Sequence, residues 1–110
     1  MNSFLITGAG SGIGKACAVY LATRDTRVFA AGRTLSKLEA LSHSNIIPIQ
    51  MDITDESSIA EAHGNIKAHL NGAALTGLVN NAGISMMGPT ALVSNEDWHR
   101  QFETNVFGAM

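Results

Sequence analysis

Short apolar runs alternate with longer amphipathic stretches along the 110 residues, and the two textures keep their order from one end to the other. The runs fall at 4–7, 28–31, 46–51 and 75–80, each apolar enough to be buried on both faces, as strands of a parallel sheet are. The first intervening stretch predicts a helix from residue 12 or 13 to about 24, with Cys17, Leu21 and the alanines facing inward and Asp25 closing it in a left-handed conformation. A second, short helix carries Leu35, Leu38 and Leu41 at helical spacing. The third opens at Thr54 as N-cap, has Asp55 and Glu56 at its positive end, sets Ile59, His63, Ile66 and Leu70 on one face, and breaks at Asn71-Gly72. A fourth starts at Ser94 or Asn95 and still runs at Met110, which suggests a chain cut inside a helix. The alternation as a whole predicts an α/β fold.

Composition narrows the class further. Seven Lys and Arg against nine Asp and Glu leave a net charge of -2, with no basic stripe for nucleic acid and no polybasic anchor for a membrane surface. No apolar run approaches the roughly 20 residues of a bilayer span, and Met1-Asn2-Ser3 leads into Phe4 without a basic leader, so the cytosol is the expected compartment. The single Cys17 excludes an intramolecular disulfide and reads as a small core thiol. His43, His63, His69 and His99 lack metal-ligand spacing.

The densest chemistry comes directly after the first apolar run: Thr7-Gly8-Ala9-Gly10-Ser11-Gly12-Ile13-Gly14-Lys15. A strand that turns through glycines into a helix N-terminus offers backbone N–H groups and a favourable dipole to a phosphate. The P-loop spacing fails, because Ala9 and Ala16 stand where Gly and Ser or Thr are needed, and the strict G-x-G-x-x-G spacing fails as well. The spacing that fits is Gly8, Gly12 and Gly14, a G-x-x-x-G-x-G pattern beginning where a strand ends.

Thr7-Gly8-x-x-x-Gly12-Ile13-Gly14 resembles the cofactor loop of the short-chain dehydrogenase/reductase family, and two more matches occur in the family's order. Asn80-Asn81-Ala82-Gly83 resembles its N-N-A-G motif, and Asn105-Val106-Phe107-Gly108 its N-x-x-G segment. The resemblance implies the N-terminal half of a doubly wound parallel-sheet Rossmann fold, with strand order 3-2-1-4 and helices on both faces. It further implies an NADP- or NAD-dependent oxidoreductase acting on a small-molecule alcohol or carbonyl, homo-oligomeric at full length. Gly8, Ser11, Gly12, Ile13 and Gly14 would meet the cofactor's phosphates, and Asp52 with Ile53 its adenine. Asn81, Ala82 and Gly83 would lie under its ribose and nicotinamide.

Selectivity between the two cofactors turns on the end of the second strand, Ala31-Gly32-Arg33-Thr34. An acid there would accept from a ribose diol, whereas Arg33 presents a planar cationic fork to a 2'-phosphate, so NADP is the expected cofactor and NAD the lesser one. The second basic residue that many NADP-preferring relatives carry before the middle glycine is here Ser11.

Trp98, Phe102, Asn105 and Ala109 share one helical face, so Asn105 is expected to point toward the core, and Gly108 to lie against crowded backbone. By resemblance Asn105 is the family's active-site Asn, which orders a water-linked proton path to a catalytic Lys; a core Asn satisfied by backbone groups is the alternative. The family's Ser, Tyr and Lys have no counterpart here. Tyr20 with Arg24 mimics a Y-x-x-x-K spacing, but in the first helix, and Ser85 lies too early in the chain. The segment alone is therefore expected to be inactive. A non-catalytic nucleotide-sensing module and a pseudoenzyme subunit are the rival readings.

Overall fold

Four of the apolar runs form one parallel sheet in the computed structural model, which describes residues 1–85 and 87–110. The strands are β1 (Ser3–Thr7), β2 (Arg27–Gly32), β3 (Ile46–Gln50) and β4 (Gly77–Val79), ordered β3-β2-β1-β4. Leu5 of β1 stands opposite Phe29 and Leu78, and Ala30 of β2 opposite Pro48. Val28, Phe29, Ala30 and Ala31 are wholly withdrawn from water on both faces of the sheet, which is why β2 reads as an unbroken apolar run.

Helices cover the two faces separately. Helix α1 (Gly12–Ala22) and the short α2 (Leu35–Glu39) bury Ala18, Ala22 and Leu38 against Ile6, Val28, Ala30 and Ile46. On the opposite face α3 (Glu56–Leu70) sets Ala62 and Ile66 on Phe29, Ala31, Ile49 and Met51. This is the doubly wound arrangement expected. Helix α1 ends at Ala22, earlier than the expected residue 24, with Thr23 as its C-cap; Asp25 follows in the expected left-handed conformation, φ +57°, and Asn45 Nδ2 donates to the Ala22 carbonyl at 2.9 Å, satisfying one of the helix's free acceptors. Asn71 ends α3 with φ +48°. Arg27 braces the far end of the sheet, donating from Nε to Ser3 Oγ and from Nη1 to the last-turn carbonyl of His69.

Several local expectations need correction. Helix α3 is capped by Asp55, whose Oδ1 accepts from the N–H groups of Ser57 and Ser58 at 3.0 and 3.3 Å. The Thr54 hydroxyl is already spent in the turn before, donating to Asp52 Oδ1 at 2.7 Å. Ile66 is buried and Leu70 packs against the same cluster as expected, but His63 is exposed and Ile59 is 37% exposed, with Ala62 taking the inner place between them. Strand β4 pairs over three residues only, against the six of the apolar run 75–80. Helix α4 (Asn95–Phe102) begins at its Ser94 cap as expected but does not continue unchanged. From Glu103 to Phe107 it widens into a single π turn, closed by the Gly108 N–H donating to the Glu103 carbonyl at 2.7 Å. The linker 84–92 contains Met86, which lies outside the described residues.

Candidate nucleotide-binding site

Strand β1 ends where backbone must pass close to backbone, and two glycines make that possible. Gly8 has φ +64°, and a Cβ there would sit 2.9 Å from the Ala82 Cα. Gly14, buried in the first turn of α1, has no room for a side chain: a Cβ would strike the Gly8 carbonyl oxygen and Asn81 Nδ2. Gly12 meets nothing within 4 Å, and its requirement is conformational, φ +57°.

The loop after β4 is tied to this turn by Thr7. Its hydroxyl accepts from the N–H groups of Asn81 and Ala82, both at 3.0 Å, and donates to the Val79 carbonyl. The Asn81 side-chain amide returns the connection, donating to the carbonyls of Thr7 and Gly8. The glycine loop and the Asn-Asn-Ala-Gly turn are thereby one rigid object at the C-terminal ends of β1 and β4, where parallel sheets bind ligands.

A cleft of about 200 Å³ opens over those strand ends. Gly8 and Ser11 line it from the glycine loop, Arg33 from the end of β2, Asp52 and Ile53 from the end of β3, and Ala82 and Gly83 from the turn after β4. Seven residues singled out in the sequence therefore meet in one place. Gly12, Ile13, Gly14, Asn81 and Asn105 do not line it: Gly14 and Asn81 lie underneath as supports, while Ile13 stands 81% exposed at the helix start. The sequence reading missed Thr34, Lys37 and Thr104, which complete the walls. No motif marks Lys37, whose place at the cleft follows from the burial of Leu38 beside it.

Electrostatically the wall is cationic. Asp52 is the one acid lining the cleft among the described residues, and its Oδ1 accepts from the Thr54 N–H and hydroxyl. Those two hydrogen bonds, with Arg33 adding a smaller attraction, hold its carboxyl below the ordinary value of 3.8. Ser11 and Thr34 are the N-caps of α1 and α2, yet neither side chain makes a cap hydrogen bond. Two hydroxyls thus stand at the cleft without a helix to serve. On the outer side Gln50 Nε2 donates to the Arg33 carbonyl at 3.2 Å.

Asn105 departs from expectation. It is not turned into a core, and its amide closes on the backbone of one residue: Oδ1 accepts from the Ile84 N–H at 2.8 Å, and Nδ2 donates to the Ile84 carbonyl at 2.7 Å. The face it was expected to share is itself open within these residues, with Phe102 53% exposed, and from Glu103 the helix has widened into the π turn. Gly108 is crowded as anticipated, with a Cβ there 3.0 Å from the Ile53 carbonyl oxygen. Tyr20 lies off the cleft, with the Arg24 guanidinium 3.5 Å over its ring.

A parallel sheet whose first strand turns through glycines beneath a cleft at the strand ends defines a nucleotide-binding α/β protein. The chain belongs to the short-chain dehydrogenase/reductase family: the family model described as short chain dehydrogenase matches residues 2–110. It is 39% identical to a 3-amino-tetrahydro-pyrrolizinone reductase of Xenorhabdus hominickii over 99% of this chain and 38% of that protein. It is 37% identical to human retinol dehydrogenase 5 over 97% of this chain and 35% of that protein. Among solved structures, NADPH-bound carbonyl reductase from chicken fatty liver superposes with a TM-score of 0.90 at 29% identity, covering 98% of this chain and 44% of that one. The 3-ketoacyl-(acyl-carrier-protein) reductase of Brucella melitensis, complexed with NADH, gives 0.91 at 29% identity, over 97% and 45%. The chain thus spans about two fifths of the length of these relatives.

Proposed function

We propose that this chain is the cofactor-binding segment of an NADP-dependent oxidoreductase that interconverts a small alcohol and a carbonyl compound. The observation that carries the reading is Arg33, a cation at the end of β2 facing the cleft where an acid would be needed to hold a ribose diol. The cradle fits a dinucleotide: Gly8 and Gly14 leave backbone exposed where any side chain would fill the space, and α1 starts at the glycine loop. When bound, the nicotinamide supplies hydride transfer.

The protein's own residues bind and orient in this reading. Gly8, Ser11, Gly12, Ile13 and Gly14 hold the pyrophosphate; Arg33 pairs the 2'-phosphate; Asp52 and Ile53 border the adenine. Ala82 and Gly83 form the floor beneath the ribose and nicotinamide, kept in register by Asn81 and Thr7. Asn105, through its hold on Ile84, shapes the substrate side and the proton path. The proton itself is handled by acid and base groups outside these 110 residues, in keeping with the relatives' greater length.

The test compares dissociation constants for NADP+ and NAD+ in the complete protein and its Arg33→Ala form. Loss of a charge-assisted pair of this kind is worth about 1.5 kcal/mol or more, so the NADP+/NAD+ preference should fall by about tenfold. An unchanged ratio overturns the NADP assignment.

A further inference from the structure

The π turn that follows α4 touches both ends of the cleft. At one end it rests on β3: a Cβ on Gly108 would lie 3.0 Å from both Cγ1 and the carbonyl oxygen of Ile53, and 2.9 Å from the Thr104 carbonyl oxygen. No side chain fits between the turn and Ile53, and contacts this close pass a displacement on rather than absorb it.

At the other end the turn holds the loop after β4. Asn105 Oδ1 accepts from the Ile84 N–H at 2.8 Å, its Nδ2 donates to the Ile84 carbonyl at 2.7 Å, and a Cβ on Gly83 would lie 3.2 Å from that Oδ1. The Gly108 N–H donates to the Glu103 carbonyl at 2.7 Å and closes the turn, so the residue on Ile53 and the residue on Ile84 belong to one hydrogen-bonded unit. Ile53, Thr104, Gly83 and Ile84 all line the cleft.

We propose that Gly108 is a positioning residue that couples the two ends of the cleft. Occupation of the adenine end fixes Ile53, Ile53 steadies the π turn, and Asn105 then steadies the Ile84 backbone before anything reaches the substrate side. The turn has order to gain, since within these 110 residues α4 buries none of its side chains. The proposal rests on the dinucleotide reading of the cleft above and is independent of the choice between NADP and NAD.

Hydrogen exchange in the complete protein tests it, with saturating 5'-AMP as the probe, because in that reading 5'-AMP ends at the glycine loop and leaves the Ile84 side empty. The probe should slow exchange at residues 8–14 and 52–54, and at the Ile84 amide by about fivefold, the low end for coupled sites. In Gly108→Ala the added methyl forces the turn off Ile53, and the slowing at Ile84 should vanish while residues 8–14 and 52–54 stay protected. Ile53→Val keeps Cγ1 and should retain the slowing, whereas Ile53→Ala removes Cγ1 and should lose most of it; this pair decides the outcome should Gly108→Ala fail to fold. If 5'-AMP protects residues 8–14 and 52–54 but leaves Ile84 unchanged, or slows Ile84 as much in Gly108→Ala or Ile53→Ala as in wild type, the coupling is overturned and the dinucleotide reading stands. If it protects none of these segments, the reading beneath the proposal fails with it.

Discussion

On the β2–β3 side of the sheet, Val28, Phe29, Ala30 and Ala31 are wholly buried between α1 and α2 on one face and α3 on the other. On the β4 side, within these 110 residues, the strand has three residues, Leu78 is 54% exposed, and α4 buries none of its side chains. The first region is held by apolar area removed from water. The second is held by amide and hydroxyl hydrogen bonds: Thr7 to the loop after β4, and Asn105 to Ile84. Both regions border the same cleft, so a ligand that spans it bridges a stiff wall and a tethered one. Bridging of this kind stabilises the tethered wall more, because that wall has more freedom to lose.

The largest effect expected from this contrast is a difference between two phenylalanines. Phe29→Ala opens a cavity under β2 and should cost about 3 to 5 kcal/mol, a large share of the stability of a domain this size. Phe102→Ala on α4, where the ring is 53% exposed within these 110 residues, should cost the 110-residue segment less than about 1 kcal/mol. Urea unfolding of both variants checks it; equal losses would mean that α4 is packed as firmly as β2.

Next in size is Thr7→Val, which keeps the shape of the side chain and strips its hydroxyl from the N–H groups of Asn81 and Ala82. Each orphaned donor is worth about 1 to 3 kcal/mol where water cannot reach it. These groups are only partly buried, so the lower end applies. Hydrogen exchange should quicken at residues 81 and 82 while β2 amides keep their protection. Thr7→Ser should exchange like wild type.

The smallest is a pH effect at the start of α3. Asp52 and Asp55 are both held below 3.8, by hydrogen bonds from Thr54 and from Ser57 and Ser58 respectively. A carboxyl whose folded value is depressed binds fewer protons in the folded state. It therefore adds stability above its unfolded value and loses it as pH falls through the folded value. Wild-type unfolding midpoints should drop below about pH 4, and Asp52→Asn/Asp55→Asn should drop less over the same range. Equal slopes would remove these two carboxylates from the acid response.

The features legible in the sequence were those written in neighbouring residues. The first three strands, the glycine loop, the left-handed Asp25 and the cap at Ser94 depend on a few adjacent side chains, and these stand where they were expected. The face of α3 was read correctly at Ile66 and Leu70 and missed in its first turns, because Ile59 and His63 fit a helical stripe as well as Ala62 does. A small residue against the sheet is chosen by the closeness of the helix, which no periodicity records. The π turn after α4 left no mark, since one extra residue in a turn needs no special side chain, and Asn105 was placed on a face that is open here from Trp98 onward. Lys37 was invisible for a third reason: its place depends on how Leu38 seats a five-residue helix beneath two glycines from different loops.

Pro48 gives the β3 rim of the sheet a character of its own. In the β2–β3 pairing the Asn45 carbonyl accepts from Val28 and the Met51 N–H donates to Gly32, so the odd-numbered residues of this stretch face β2 and residue 48 faces outward. The missing N–H of Pro48 thus falls on the free rim, where it removes a donor that another strand would need. A strand from another molecule approaching along β3 therefore meets a gap in the row of donors, and adding a strand to the sheet on that rim is disfavoured.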